Sequence, residues 1–218
     1  YHTYDRFLEL AHSNKEYTYE EAKELFFHSI SQFPQDFQDK AHEVLRDGFV
    51  DVMEKVGKRT GAYSSSVANL HPFILLNFDN TLDSVFTVAH EAGHSIHSMY
   101  ATQTQPTMLQ DYTIFVAEIA STFNEHTLLD YFLSLPDATK EEKIMVIQKA
   151  IDEIMSTFYR QTLFAEYEYL ANHEVAKGNP INHQVLSQIM IDLYKKYYGL
   201  DITKEEVKQY VWAYIPHL

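Results

Sequence analysis

Residues 86–97 read FTVAHEAGHSIH, in which His90 and His94 stand four apart in an apolar run and Glu91 directly follows the first. On a helix, residues at i and i+4 lie about 40° apart and roughly 6 Å along the axis, so the two imidazoles share one face. Side chains so placed can converge on one tetrahedral zinc ion at ~2.0–2.1 Å per bond. Glu91, offset by one residue, stays outside the coordination sphere yet close to a water on the metal. That is the logic of HExxH, two ligands plus a general base. Ala92 and Gly93, between the histidines, are small enough to admit another backbone or a substrate close to the helix.

A catalytic zinc needs a third protein ligand and an open position. His97 is too far along the helix to share an ion with His90, roughly 10.5 Å over seven residues, and a role in packing or in supporting a ligand from behind is expected for it. The metzincin pattern fails as well, because positions 97 and 100 are His97 and Tyr100 rather than glycine and histidine. Glu118, in IFVAEIASTFNEHTLLDYF, is the better candidate. An unpaired carboxylate among apolar neighbours is costly, and a cation removes that cost. Glu125 lies two turns further along the same face. It can accept the N–H that a ligating imidazole turns away from its metal. The competing reading makes the histidines structural and the chain a non-catalytic helical binding protein, since 12 histidines also raise the odds of a chance spacing.

The rest of the composition limits the function classes. A formal net charge of −14 argues against a nucleic-acid partner, which would require basic patches. There are no cysteines, so disulfide and thiol chemistry are excluded and a reducing compartment fits. No apolar segment approaches membrane-spanning length, and the expectation is a soluble, cytoplasmic chain with no membrane partner.

Helical signals dominate the elements that must position these residues. Thr18-x-x-Glu21 and Thr139-x-x-Glu142 have the capping-box form. The first opens a helix expected to end near Pro34; a second is predicted from about Gln35 to Val56, where Gly57 stops it. Residues 57–81 carry glycines, serines and the run Phe73-Ile74-Leu75-Leu76, read as a glycine-bearing loop with one or two strands. Pro72 suggests that this run is an edge strand. Helices are then expected over about Asp83–Tyr100 and Asp111–Leu133. One very long helix, or two in line, runs over Thr139–Lys177 to Gly178-Asn179-Pro180. Shorter ones cover Gln184–Tyr198 and Lys204–Tyr214, with Gly199 between them. The expected fold is mainly α with a small β-sheet or hairpin before the HExxH helix.

The order HEAGHSIH, then DYTIFVAEIASTFNE, resembles the zinc oligopeptidases of the thimet oligopeptidase and oligoendopeptidase F type, nearest the second. YDRFLEL, GKRTGAYS, LLNFDNTLDSVFTVAHE and TFYRQTLFAEYE agree, so the resemblance covers nearly the whole chain. It implies a helical, zincin-like metallopeptidase domain and one zinc ion held by His90, His94 and Glu118. Glu91 would be the general base, Glu125 would support a ligand, and the reaction would be hydrolysis of internal bonds in short peptides. The loop with Gly61, Ala62 and Tyr63 and the strand near Leu75 resemble the wall along which a substrate backbone lies. His217 matches the start of a His/Tyr-rich segment thought to stabilise the reaction intermediate. Family members are longer at both ends, so residues 1–218 are expected to be a catalytic region without the N-terminal region and the C-terminal tyrosines. Another gluzincin peptidase, such as an aminopeptidase, is the alternative within zinc chemistry, although no acidic motif for a free amino terminus precedes HExxH.

Overall fold

The computed structural model describes residues 15–205 and 207–214. These fall into two compact units, one of residues 15–147 and one of residues 148–205 and 207–214.

In the first unit, α1 (Tyr19–Ser29) starts on the expected capping box. The Glu21 N–H donates to Thr18 Oγ1 at 3.2 Å, and the Thr18 N–H donates to Glu21 Oε2 at 2.7 Å. Its buried face, Ala22 and Phe26, continues into Ile30. The helix stops at Ser29, one turn before the expected proline. The next helix, α2 (Gln35–Val44), is much shorter than the sequence suggested. Its predicted second half is a strand, β1 (Val50–Met53), because Gly48 turns the chain at φ +91° and Val50 and Val52 then alternate inward. Val50 and Met53 suit a helical period and Val50 and Val52 an alternating one, and pairing with the sheet decides the outcome. Lys58 completes the turn, donating to the carbonyls of Asp51 (3.0 Å) and Met53 (2.7 Å).

The sheet has the order β1-β3-β2, with β2 (Tyr63–Ser65) antiparallel and β1 parallel to β3 (Phe73–Phe78). The strand after Pro72 is therefore central, not an edge. The proline precedes the first strand residue, where its missing N–H costs no ladder bond. The edge strands are β1 and β2.

Helix α3 (Leu82–Thr104) carries HEAGH and is packed by α1, α2, α4 (Ile114–Ser134) and the sheet. Thr81 caps it, accepting from the Ser84 N–H, while Asp79 takes the hydroxyls of both Thr81 and Ser84 at 2.6 Å. Burial almost all round explains its apolar sequence: Val85, Phe86, Val88, Ala89, Ala92 and Ile96 are each at most 1% exposed. Burying the larger of these contributes roughly 1.5–3 kcal/mol apiece. Phe86 stacks on Phe132 of α4 at 5.8 Å.

Helix α5 (Lys140–Glu153) begins in the first unit, on the Thr139–Glu142 capping box, and runs into the second. There it continues through a π-helical segment, Ile154–Tyr159, into α6 (Arg160–Ala176), the expected pair in line. Gly178 (φ +83°) ends α6, and α7 (His183–Tyr198) runs from an Asn182 cap to Gly199 in the left-handed region. Leu163, Phe164 and Tyr167 of α6 pack on Met190 and Leu193 of α7 and on Ile202. The last predicted helix is only a 3-10 segment, Lys208–Tyr214. Asp201 draws the Thr203 N–H (3.0 Å) and hydroxyl (2.6 Å) into a local turn where the helix was expected to begin. Among the described residues, no helix is long and apolar enough to cross a membrane.

Candidate metal centre

The residues singled out for chemistry meet where α3 crosses α4. His90 and His94 project from one face of α3, as their spacing requires, with Nε2 atoms 3.1 Å apart. Glu118 Oε2 on α4 lies 3.5 Å from each of them. Donors bound at ~2.0–2.1 Å to one tetrahedral ion stand roughly 3.3–3.4 Å from one another, so the three atoms already have the mutual spacing of a coordination sphere. They are also the one histidine–carboxylate group suited to hold a metal ion among the described residues.

Each imidazole is oriented from behind. His90 Nδ1 is hydrogen-bonded to Glu125 Oε1, and the His94 ring donates to the backbone of Ala117. With the far nitrogens so engaged, both Nε2 atoms turn inward toward Glu118, where a cation can replace any proton they share. Burial opposes charge on His90, but the hydrogen bond and charge of Glu125, with Glu91 and Glu118 nearby, outweigh it and raise its pKa. His94 moves the other way, lowered first by burial and then by the charge of His90. A two-nitrogen, one-carboxylate donor set with supported rings fits a divalent metal.

Glu91 is only 5% exposed, and burial pushes its carboxyl up to about 7. The Ser64 backbone donates one hydrogen bond to it, while Oε2 is buried with no hydrogen-bond partner among the described residues. Ser64 belongs to β2, an outer strand of the sheet, so an edge strand borders the centre. The hydroxyls of Ser64 and Ser95, 2.8 Å apart, tie that strand to α3. Tyr63, Ser64, His90, Glu91, His94 and Glu118 share the wall of a cleft of about 610 Å³.

Of the loop residues expected at a substrate wall, Ala62 and Tyr63 line this cleft and Gly61 does not. Gly61 makes the turn behind them at φ +82°, and Asn77 holds it by donating to the carbonyls of Arg59 and Gly61 at 2.8 Å. His97 stacks on Tyr112 at 3.9 Å and is not part of the His90–His94–Glu118 group. His217 and YDRFLEL lie outside the described residues. Sequence reasoning missed Ser64, Ser95, Ala117 and Ser121. For Ser121 a signal existed: it follows Glu118 by three residues on the same helix face, and its hydroxyl donates to Glu118 Oε2 at 2.9 Å.

The chain is 36% identical over 217 residues to oligopeptidase PepF of Bacillus subtilis, a match spanning 99% of this chain and 32% of that one. It is 35% identical to group B oligopeptidase PepB of Streptococcus agalactiae, over 98% of this chain and 35% of the relative. It thus spans about a third of the length of the curated relatives it matches. A crystal structure of a Chlamydophila abortus protein assigned as a peptidase superposes on all of this chain and 36% of its own, with a TM-score of 0.83 and 41% identity. The profile of peptidase family M3 matches residues 6–218. The chain belongs to peptidase family M3, a family of metallopeptidases.

Proposed function

We propose that residues 1–218 form the catalytic region of a zinc-dependent endopeptidase that cleaves internal bonds of short oligopeptides. One observation carries the reading: His90 Nε2, His94 Nε2 and Glu118 Oε2 converge to within 3.5 Å of one another, beside the buried carboxylate of Glu91. His90, His94 and Glu118 would hold the zinc ion, and its chemistry there would be to acidify a water and polarise the scissile carbonyl. Glu91 accepts the proton of the attacking water and returns it to the departing amine. Its Ser64 hydrogen bond holds one oxygen, which leaves Oε2 to handle the proton.

The substrate class is supported by the free edge of β2. A peptide laid antiparallel or parallel along an edge strand is gripped through its backbone, whatever its side chains. The names of PepF and PepB as oligopeptidases support short peptides as the substrates. Replacing Glu91 with Gln tests the assignment. Cleavage of an internally quenched peptide with a blocked amino terminus is expected to fall about 10²–10⁴-fold, with zinc still bound stoichiometrically. Undiminished cleavage removes Glu91 from the mechanism, and a requirement for a free amino terminus favours an aminopeptidase instead.

A further inference from the structure

Ser121 is fully buried at the point where α4 crosses α3. A Cβ placed on Gly93 would lie 2.7 Å from the Ala120 carbonyl oxygen and 2.8 Å from Ser121 Cα, closer than side-chain carbons come. The two helices therefore touch backbone to backbone, one residue before His94 and three after Glu118. From that seat the Ser121 hydroxyl reaches the Glu118 carbonyl at 3.1 Å and Glu118 Oε2 at 2.9 Å. Oε2 is also the oxygen that stands 3.5 Å from both imidazole nitrogens.

We propose that Ser121 is a positioning residue for the metal centre: locked against Gly93, it tethers the Glu118 carboxylate so that Oε2 points at His90 and His94. The inference rests on the reading of these three residues as metal ligands. The glutamate needs such a tether. Its side chain is 44% exposed, far more than those of His90 (27%) and His94 (16%), and it has several free torsions to lose on coordination. A hydrogen bond from a buried, immobile donor restricts those torsions before any metal arrives. The histidines are held in the same way, by Glu125 and Ala117. Ser121 thus supplies the third support of a three-ligand set, and from the ligand's own helix. Thr122 bonds only to backbone carbonyls and has no part in it.

The test titrates the metal-stripped 218-residue chain with Co(II), reading affinity by chelator competition and geometry from the visible d–d bands. Ser121→Ala removes the hydroxyl without adding volume. It is expected to weaken Co(II) binding about tenfold, the lower end of what supporting hydrogen bonds contribute at metal sites, and to shift the d–d bands. The same substitution in a Glu118→Gln background should change affinity less than twofold, because the group it acts through is already altered. Affinity and spectrum unchanged in the single variant would overturn the proposal. So would an equal tenfold loss in both backgrounds, which marks a packing effect. If the unsubstituted chain takes up no Co(II), the metal centre itself fails, an outcome distinct from both.

Discussion

Two helix pairs in this protein are built to different specifications. Where α3 meets α4 at the site, Gly93 lies against the backbone of Ala120 and Ser121, and Asn124 of α4 donates to the Ala89 carbonyl. Where α6 meets α7, the space is filled by Leu163, Phe164, Tyr167, Met190 and Leu193. Interaxial distance follows the size of the side chains at the contact. The second pair is an apolar interface held by the burial of large side chains. The first gives up that bulk so that groups on different helices stand within 3.5 Å of a common point. The lesson is that chemistry here is located by what has been left out of an interface.

The contrast can be broken from either side. The largest effect on stability is expected from Met190→Ala. It removes a side chain that is 0% exposed and should cost about 2–5 kcal/mol in chemical denaturation. Co(II) affinity should stay within twofold of wild type, since every ligand lies in the first unit. Gly93→Ala comes next: one methyl group forced against the α4 backbone should cost about 1–3 kcal/mol as overpacking. Here Co(II) affinity should fall roughly tenfold or more, as α4 moves off and takes Glu118 with it. A folded Gly93→Ala protein with unchanged affinity would show that the close crossing does not set the ligand spacing. The two variants together are expected to give opposite ratios of stability loss to metal loss.

The smallest effect concerns the start of α5. Lys15 donates to the Glu142 carboxylate at 2.9 Å, and with the Thr139 N–H it holds that carboxyl below its ordinary value. A folded-state pKa below the unfolded one contributes stability at neutral pH. That contribution is lost as pH falls below the usual carboxylate range of about 4.3. Glu142→Gln keeps an acceptor for the cap but not the charge, so its melting temperature should fall less between pH 7 and pH 3 than that of wild type.

What could be read from the sequence divides along a physical line. The histidine pair, Glu91 and the helix that carries them follow from spacing within one segment, since an i,i+4 relation survives any tertiary context. Glu118 was legible because a carboxylate in an apolar run needs a partner, and Glu125 because a ligating imidazole needs one too. The error at β1 came from four residues whose apolar positions suit either period until β3 is there to pair with them. Pro72 misled because its consequence depends on whether it stands inside the strand or one residue ahead of it. Ser64 and Ser95 were silent. A small hydroxyl becomes informative only when another element brings it a partner, and these two lie 31 residues apart.

The π-helical segment Ile154–Tyr159 sets the angular phase of everything after it in the second unit. Its closing N–H, from Arg160, bonds to the Met155 carbonyl five residues back, so the stretch holds a surplus residue relative to an α-helical path. Each residue turns an α-helix by about 100°. Shortening that stretch by one residue would turn Leu163, Phe164 and Tyr167 by that angle about the helix axis relative to residues 148–153, which precede it in the same unit. Chain length, rather than any particular side chain, is the property that must be kept there.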